Sequence, residues 1–299
     1  WGDRVYATWG YSQIYLSCYD ARTGSNLWTY CTTNNGGGTF MQDGLAVADG
    51  TVFGVTKNVA GPISGAVFAV DAYSGAFKWL YYGTNINCTP PIVKDGIVYF
   101  GAVGDPYRAV YANSGQLIWR TSNSVGSTHF GGAALDNGTL YCPSVVALTA
   151  SNGLQKWQSS YLGYADSTPC VSSDKVYMVS ETRLINCFSA QTGSDYWNLQ
   201  GYRPGMNPSP GPAIANGRLF IAGYATNDPG MTNYLYCFNA NTNGAPLWQY
   251  PISSAHGSPV VYSNTVYIAS DKFYAFNATS GTLLWSYDSP YNDSWSDPF

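Results

Sequence analysis

The sequence contains few charged side chains. Only 10% of its 299 residues are Asp, Glu, Lys or Arg, against roughly 25% in an average globular domain. The 13 Lys and Arg residues leave a formal net charge of -4 and form no basic stripe interleaved with aromatic residues. This composition argues against nucleic acid as a partner, because phosphate backbones are bound through clustered cations.

Long apolar runs are also missing. No stretch approaches the roughly 18 apolar residues that span a bilayer, and the opening WGDRVYATWG lacks the charged start and apolar core of a signal peptide. We therefore expect a soluble chain without a membrane span, from which any export signal has been removed. The scarcity of charge and four Asn-x-Ser/Thr triplets favour a secreted, extracellular or periplasmic glycoprotein; the candidate glycosylation sites are Asn87, Asn137, Asn277 and Asn292.

Familiar catalytic and metal-binding motifs are missing as well. The sequence has no Gly-x-Ser-x-Gly elbow and no Gly-x4-Gly-Lys loop, and its NNGGG run precedes a strand rather than a helix. Its only histidines, His129 and His256, each precede a predicted innermost strand, and metal binding would need a third ligand, for which Asp166 is a candidate. Without tight ligand spacing, ordinary hydrogen-bonded histidines are the favoured interpretation, so we predict no metal site and no catalytic residue.

Cysteine is sparse and odd in number, since seven cysteines cannot all pair within one chain. Cys18, Cys187 and Cys237 occupy one repeat position where alanine stands in other copies, which predicts small buried thiols. The remaining cysteines lie outside that register and are the better disulfide candidates, with partners that the sequence does not assign: Cys31, Cys88, Cys142 and Cys170.

Glycine, tyrosine and tryptophan are abundant, and they recur in a fixed pattern. A glycine stands four residues before a tryptophan seven times, each time after text such as CYDARTG or AFNATSG, and the sixth copy carries one extra residue. A repeat with this period is typical of a solenoid or propeller. The pairs are Gly24/Trp28, Gly75/Trp79, Gly115/Trp119, Gly153/Trp157, Gly193/Trp197, Gly244/Trp248 and Gly281/Trp285.

The residue types explain the unit. Asp, Asn, Ser or Thr at the start of the turn can accept a backbone hydrogen bond, and the glycine can adopt the positive φ that closes the reversal. The tryptophan then lies in the returning strand, where it suits packing between adjacent sheets. Two further short strands precede each turn, as in SPVVYSNTVYIAS.

Four strands per unit at this spacing predict an all-β fold, a seven-bladed β-propeller of four-stranded antiparallel blades in one domain over residues 1–299. The first repeat opens at its second strand, and the final SDPF resembles the start of an innermost strand. We therefore expect the C-terminal strand to complete the first blade and close the ring, although a segment of a longer array would show the same text.

The Asp-Ala-x-Thr-Gly-x3-Trp text at positions 20–28 and its six looser copies resemble the repeat of the pyrroloquinoline-quinone (PQQ) propeller superfamily. The superfamily includes quinoprotein dehydrogenases and BamB-like scaffold proteins, so the resemblance implies a propeller over essentially the whole chain. Such dehydrogenases hold PQQ and Ca²⁺ on eight blades, often beside two adjacent cysteines. This sequence has seven repeats and no adjacent cysteine pair, and no residue matches the family's quinone or metal ligands.

The candidate binding surface is the loop face of the propeller, formed by connections rich in Tyr, Asn, Ser and Gly. Aromatic rings flanked by amides and hydroxyls suit sugar recognition, although such rings also shield blade ends. The candidates are Trp9, Tyr82, Tyr164, Asp166, Tyr202, Arg203, Trp295, His129 and His256. We predict an exported, non-catalytic propeller, without a cofactor, that binds protein or glycan partners. The alternatives are a PQQ-dependent oxidoreductase with Ca²⁺, or a relic of one, and an unrecognised hydrolase or lyase.

Overall fold

The computed structural model describes residues 2–10, 13–35, 40–41, 44–57, 65–83, 90–102, 105–122, 131–143, 145–159, 167–179, 184–204, 210–255 and 257–288. Contacts between residues divide the chain into two compact units, one of residues 1–133 with 149–154 and one of residues 134–148 with 155–299. The single domain proposed over residues 1–299 stays a prediction. No helix in the described ranges is long and apolar enough to cross a membrane.

The first unit contains three antiparallel sheets, which we call blades 1 to 3. Blade 1 has β1 (Arg4–Trp9), β2 (Tyr15–Asp20) and β3 (Asn26–Cys31), followed by a 3-10 turn (Thr32–Asn35). Blade 2 has β4 (Phe40–Met41), β5 (Ala46–Ala48), β6 (Thr51–Lys57), β7 (Gly65–Asp71) and β8 (Phe77–Gly83), with β4 and β5 both pairing with β6. Blade 3 has β9 (Ile92–Lys94), β10 (Ile97–Ala102), β11 (Asp105–Tyr111) and β12 (Leu117–Arg120).

The second unit contains the strands of blades 4 to 7, except that Thr149 and the turn up to residue 154 belong to the first unit. Blade 4 has β13 (Ala134–Asp136), β14 (Thr139–Cys142), β15 (Val146–Thr149) and β16 (Gln155–Gln158), and blade 5 has β17 (Cys170–Ser172), β18 (Lys175–Val179), β19 (Ile185–Ser189) and β20 (Asp195–Leu199). Blade 6 has β21 (Tyr202–Pro204), β22 (Ala213–Ala215), β23 (Arg218–Ala225), β24 (Asn233–Asn239) and β25 (Trp248–Pro251). Blade 7 has β26 (Val260–Tyr262), β27 (Thr265–Ala269), β28 (Lys272–Asn277) and β29 (Leu283–Asp288).

This architecture confirms the all-β fold and the seven blades of a propeller. Blade 1 shows three strands, and the strand expected to complete it, at residues 296–299, lies outside the described residues. Within each unit the innermost strands of successive blades approach one another: β5 approaches β9 in the first unit, and in the second β13 approaches β17, β17 approaches β22 and β22 approaches β26. The apolar core lies between successive blades, as where Phe53 and Trp79 of blade 2 pack with Val98 and Phe100 of blade 3.

The repeated turn forms as its residue types predict. In blade 1 the carboxylate of Asp20 accepts hydrogen bonds from the backbone N–H groups of Arg22 (3.0 Å) and Thr23 (2.7 Å). Gly24 has a φ of 68° and donates its N–H to the Asp20 carbonyl at 2.9 Å. The positive φ is open to glycine because glycine has no Cβ. Blade 6 differs, since its extra residue leaves Gly244 outside the left-handed region.

One row of three side chains crosses every blade. An aromatic residue of the second strand and the tryptophan of the fourth strand lie 5.8–6.1 Å apart between ring centroids. The third-strand residue between them is small, such as Cys18 between Tyr6 and Trp28 or Ala69 between Phe53 and Trp79. A small side chain is required there because it leaves room for the two rings to meet.

This row explains the cysteines in register. Cys18, Cys187 and Cys237 are fully buried free thiols, as predicted. Burial raises the pKa of Cys187 and of Cys237 to about 12. The structure shows no disulfide for the described disulfide candidates. Cys31 and Cys170 are free thiols, and Cys142 is buried. Cys88 lies outside the described residues.

The tryptophan also binds the following blade, in an arrangement that we call the indole clasp. The indole Nε1 donates to the alanine carbonyl of the next turn, as from Trp79 to Ala112 at 2.8 Å and from Trp157 to Ala190 at 2.9 Å. The glycine of that turn lies under the indole, so a Cβ on Gly115 would come within 2.7 Å of the Trp79 ring. The same contact forms in five blade pairs; it joins Trp28 to Gly75, Trp79 to Gly115, Trp119 to Gly153, Trp157 to Gly193 and Trp248 to Gly281.

Candidate functional site

Blade 6 carries a long hairpin and an additional strand that pairs with it. Its strands β23 and β24 span 8 and 7 residues, and β21 extends the sheet by pairing Tyr202 with Ala225 and Arg203 with Tyr224. The backbone N–H of Thr226 donates to the Gly201 carbonyl at 2.8 Å, which continues this pairing beyond the strand. The hairpin is therefore supported on one side up to its tip.

The tip of this hairpin is held by Asp228. Its two carboxylate oxygens accept hydrogen bonds from the backbone N–H groups of Gly230 and Thr232, each at 2.9 Å. These hydrogen bonds lower the pKa of Asp228, and the bond from Gly230 has the largest effect. The carboxylate thus holds the turn through backbone hydrogen bonds. Met231 follows with a φ of 46° and is 62% exposed. A fixed loop thus presents one large apolar side chain to solvent.

The two candidate residues of β21 have different roles. Tyr202 is half-buried, and its ring meets those of Tyr236 and Phe238 edge-on, with centroids 5.1 Å away in both cases. This tyrosine supports the core of the blade. Arg203 is exposed and points its side chain to the other side of the strand. Of the two, Arg203 is the one available to a partner.

Trp9, at the end of β1, forms the clearest described aromatic platform among the sugar-binding candidates. Its ring stacks on Tyr15 at 4.4 Å between centroids with an interplanar angle of 20°. Its Nε1 donates to the Ser17 hydroxyl at 2.8 Å, and the Tyr15 hydroxyl donates to the side chain of Gln13 at 2.8 Å. Trp9 is nevertheless 51% exposed. The ring is fixed in orientation while much of it remains open to solvent.

The other candidates are dispersed or lie outside the described residues. Tyr82 lies on β8 of blade 2 and is 46% exposed. Of the acceptor asparagines, Asn137 lies in a turn and Asn277 is the last residue of β28, where its side-chain oxygen accepts the N–H groups of Thr279 and Ser280, each at 3.0 Å. Outside the described residues fall Tyr164, Asp166, Trp295, His129, His256, Asn87 and Asn292.

One surface was not foreseen from the sequence. An apolar groove of about 400 Å³ on blade 7 is lined by Val260, Tyr262, Tyr267, Phe273 and Trp285. Trp285, expected to pack between sheets like its six counterparts, is 45% exposed, whereas Trp79, Trp119 and Trp157 are 7–8% exposed. The repeat text around Trp285 is ordinary, so no sequence signal marks this difference.

Among the described residues, no three His, Cys, Asp or Glu side chains come together in a way that could hold a metal ion. The Ca²⁺ that accompanies PQQ in quinoprotein dehydrogenases would need such oxygen ligands.

Seven antiparallel blades with a repeated glycine turn, five pairs of which are joined by indole clasps, define a propeller of the PQQ-repeat class. A family model described as "Outer membrane protein assembly factor BamB" matches residues 12–129, 106–228 and 184–294. These matches cover nearly the whole sequence, and the chain belongs to this BamB-like family.

Individual relatives agree with this assignment. The chain is 25% identical over 259 residues to the outer membrane protein assembly factor BamB of Burkholderia pseudomallei, with 69% of this chain and 66% of that protein covered. The crystal structure of BamB from Moraxella catarrhalis matches with a TM-score of 0.71 at 18% identity, covering 97% of this chain and 86% of that one. The quinohemoprotein alcohol dehydrogenase of Comamonas testosteroni matches with a TM-score of 0.72 at 13% identity, over 96% of this chain and 66% of that one.

These likenesses differ in what they establish. The structural matches, all under 25% identical, show the fold, which scaffolds and dehydrogenases share. The chain spans between 51% and 66% of the length of the curated relatives that it matches.

Proposed function

We propose that this chain is an exported, non-catalytic propeller that binds a protein partner and acts as a scaffold. Its family is named for an outer-membrane assembly factor, which supports a role in holding other proteins. Fold alone does not decide function, so the proposal depends on a surface of this chain that suits such a partner.

The observation that carries the proposal is the tip of the blade 6 hairpin. Met231 is 62% exposed on a loop fixed by Asp228, and Arg203 is exposed on the strand that supports the same hairpin. Methionine and arginine are enriched at protein interfaces, where a few such anchors carry most of the affinity. Because the loop is already ordered, binding loses little conformational entropy there. The tip is therefore a suitable anchor for a protein.

A photo-crosslinking experiment tests this surface. A photoreactive phenylalanine analogue replaces Met231 in one variant and Leu247 in a matched control. Leu247 is also on blade 6 and 55% exposed, but it lies in the turn at the opposite end of β24. We expect position 231 to give a discrete protein adduct in the native cell extract, suppressed by excess unlabelled chain, and position 247 to give none. Equal labelling at both positions, or none at 231, would contradict the proposal.

A glycan is the second candidate partner, and the Trp9 platform favours it. The ring is oriented by Tyr15 and Ser17 with much of its surface open, and sugar rings stack on such exposed indoles. A glycan array with the wild type and Trp9→Ala separates this role from protein binding. Binding that disappears in Trp9→Ala supports it, whereas unchanged binding, or none to any glycan, contradicts it.

The alternative of a PQQ-dependent oxidoreductase is supported by the fold shared with the quinohemoprotein dehydrogenase. No catalytic step is assigned to any described residue, among which no three His, Cys, Asp or Glu side chains come together. Adding PQQ and Ca²⁺ and measuring dye reduction with alcohols or sugars tests it directly. Quinone-dependent turnover would replace the scaffold proposal by an enzymatic one.

A further inference from the structure

The hairpin tip of blade 6 holds a methionine in an uncommon backbone conformation. Met231 has a φ of 46°, in the left-handed region that favours glycine and asparagine because a Cβ there crowds the backbone. Its side chain is 62% exposed, so burial contributes little to offset the backbone cost. The fold of the tip therefore gives no reason for an apolar side chain at this position.

The loop around Met231 is held by hydrogen bonds that do not involve its side chain. The Asp228 carboxylate accepts the N–H groups of Gly230 and Thr232, each at 2.9 Å, and the Asp228 carbonyl accepts the Met231 N–H at 3.0 Å. Three successive backbone N–H groups are thus bound to one residue. A chemical change in the Met231 side chain leaves all three bonds in place, so the loop keeps its shape.

The thioether of Met231 is a group that peroxides oxidise. The sulfur attacks one peroxide oxygen, an S–O bond forms and the O–O bond breaks; the sulfur loses two electrons, and hydrogen peroxide is reduced to water. The sulfur and the peroxide must meet, so exposure controls the rate. Met178 on β18 is the internal comparison, because it is 1% exposed in the core shared by blades 4 and 5.

We propose that Met231 is an oxidation site for peroxides, and that its sulfoxide weakens binding of the protein partner at the tip of blade 6. The second half rests on the proposed function, whereas the modification itself needs no partner. Oxidation converts a flexible apolar side chain into a polar one. A polar group loses its hydration when an interface buries it, so the anchor binds less well. A bound partner covers the sulfur, and oxidation therefore acts on the free chain.

Peptide mapping by mass spectrometry tests the modification. The folded wild-type chain is treated with hydrogen peroxide, and the addition of one oxygen is followed with time at Met231 and Met178. We expect Met231 to react about tenfold faster or more, because Met178 reacts only when the core opens. In urea, where both side chains are exposed, the two rates should become equal. A folded chain in which Met231 reacts as slowly as Met178 would overturn the proposal.

Photo-crosslinking tests the effect on binding. A photoreactive phenylalanine analogue replaces Asn227, an exposed residue of the same turn, so that Met231 stays intact. The chain is oxidised, freed of peroxide and added to the native cell extract. We expect the yield of the protein adduct to fall about tenfold or more. Methionine sulfoxide reductase should restore it, whereas a thiol reductant alone, which reduces oxidised cysteines, should not.

A leucine at position 231 is the matched control, since it is apolar and peroxide does not modify it. Whatever its adduct yield before treatment, Met231→Leu should show the same yield afterwards. Oxidised Met231 with an unchanged adduct, or an equal loss in Met231→Leu, overturns the effect on binding and leaves the partner site in place. No adduct from the untreated chain contradicts the proposed function instead, and the peptide map still decides whether Met231 is an oxidation site.

Discussion

The indole clasp makes a quantitative prediction, because two tryptophans of the second unit differ in their hydrogen bonding. Trp157 Nε1 donates to the Ala190 carbonyl at 2.9 Å. Trp197 has a buried Nε1 with no hydrogen-bond partner among the described residues, while the Ala240 carbonyl accepts the Tyr177 hydroxyl at 2.9 Å. Replacing each tryptophan by phenylalanine removes a similar volume but changes the hydrogen bonding differently.

The difference in stability between the two variants follows from the free-energy cost of leaving a buried polar group without a hydrogen bond. Trp157→Phe loses one hydrogen bond, about 1 kcal/mol net, while the Ala190 carbonyl keeps the Tyr141 hydroxyl at 3.3 Å. Trp197→Phe loses no hydrogen bond and removes a buried N–H without a partner, which recovers up to about 1 kcal/mol. The smaller ring also costs each variant packing energy, and the loss is no smaller for Trp157, which is 8% exposed and lies on Gly193. We therefore expect Trp157→Phe to be less stable than Trp197→Phe by about 1–2 kcal/mol.

Urea unfolding followed by far-ultraviolet circular dichroism measures the difference. With a slope of about 2 kcal/mol per M, the two midpoints should lie about 0.5–1 M apart, with the wild type as the reference. Both residues belong to the second unit, so the comparison does not depend on how the two units unfold relative to each other. If Trp197→Phe proves as destabilising as Trp157→Phe, the hydrogen-bond half of the clasp does not stabilise the blades as argued.

Three further predictions follow from the turns and the buried thiols. Gly115→Ala should lower the free energy of unfolding by at least about 2 kcal/mol more than Gly24→Ala, because both glycines have a positive φ but only Gly115 lies under an indole. Urea unfolding measures both variants, and equal losses of stability would refute this. The pKa of Asp228 is lowered by its backbone hydrogen bonds. The carboxylate should therefore stabilise the loop fully at pH values above the ordinary carboxyl pKa of about 3.9, and this stabilisation should be lost as the pH falls through the lowered pKa. A carboxyl NMR titration with a midpoint at or above 3.9 would contradict it. Burial raises the pKa of Cys187 and Cys237 to about 12, so neither thiol should react with a disulfide reagent at pH 8 until the chain unfolds; labelling of the folded chain at either position would show otherwise.

The local structure was largely predictable because the sequence states it seven times. The Asx side chain, the left-handed glycine and the tryptophan of each repeat interact over a few residues, so their roles follow from residue type. The small residue at position 18, 187 or 237 was also interpreted correctly as a buried packing residue. The sixth turn departs from this pattern, since one extra residue removes the positive φ at Gly244.

The candidate site was less predictable. Tyr202 was a candidate for sugar stacking, yet its ring packs on Tyr236 and Phe238, which lie more than thirty residues away in sequence. Met231 drew no attention as a residue type, and only the hydrogen bonds of Asp228 show that it is presented on a fixed loop. Exposure of a side chain depends on what other segments place beside it, and a single sequence does not contain that information.

The amino-acid sequence alone determined the repeating unit, the class of fold and the small residues between aromatic rings, because these depend on neighbours a few positions away or in the next copy of the repeat. Tertiary structure decided which of seven similar tryptophans are covered. Trp157 and Trp285 stand in nearly the same text, but one is 8% exposed and the other 45%. The physical reason is that burial of an indole depends on the surface that meets it, which for Trp157 is the turn of the next blade.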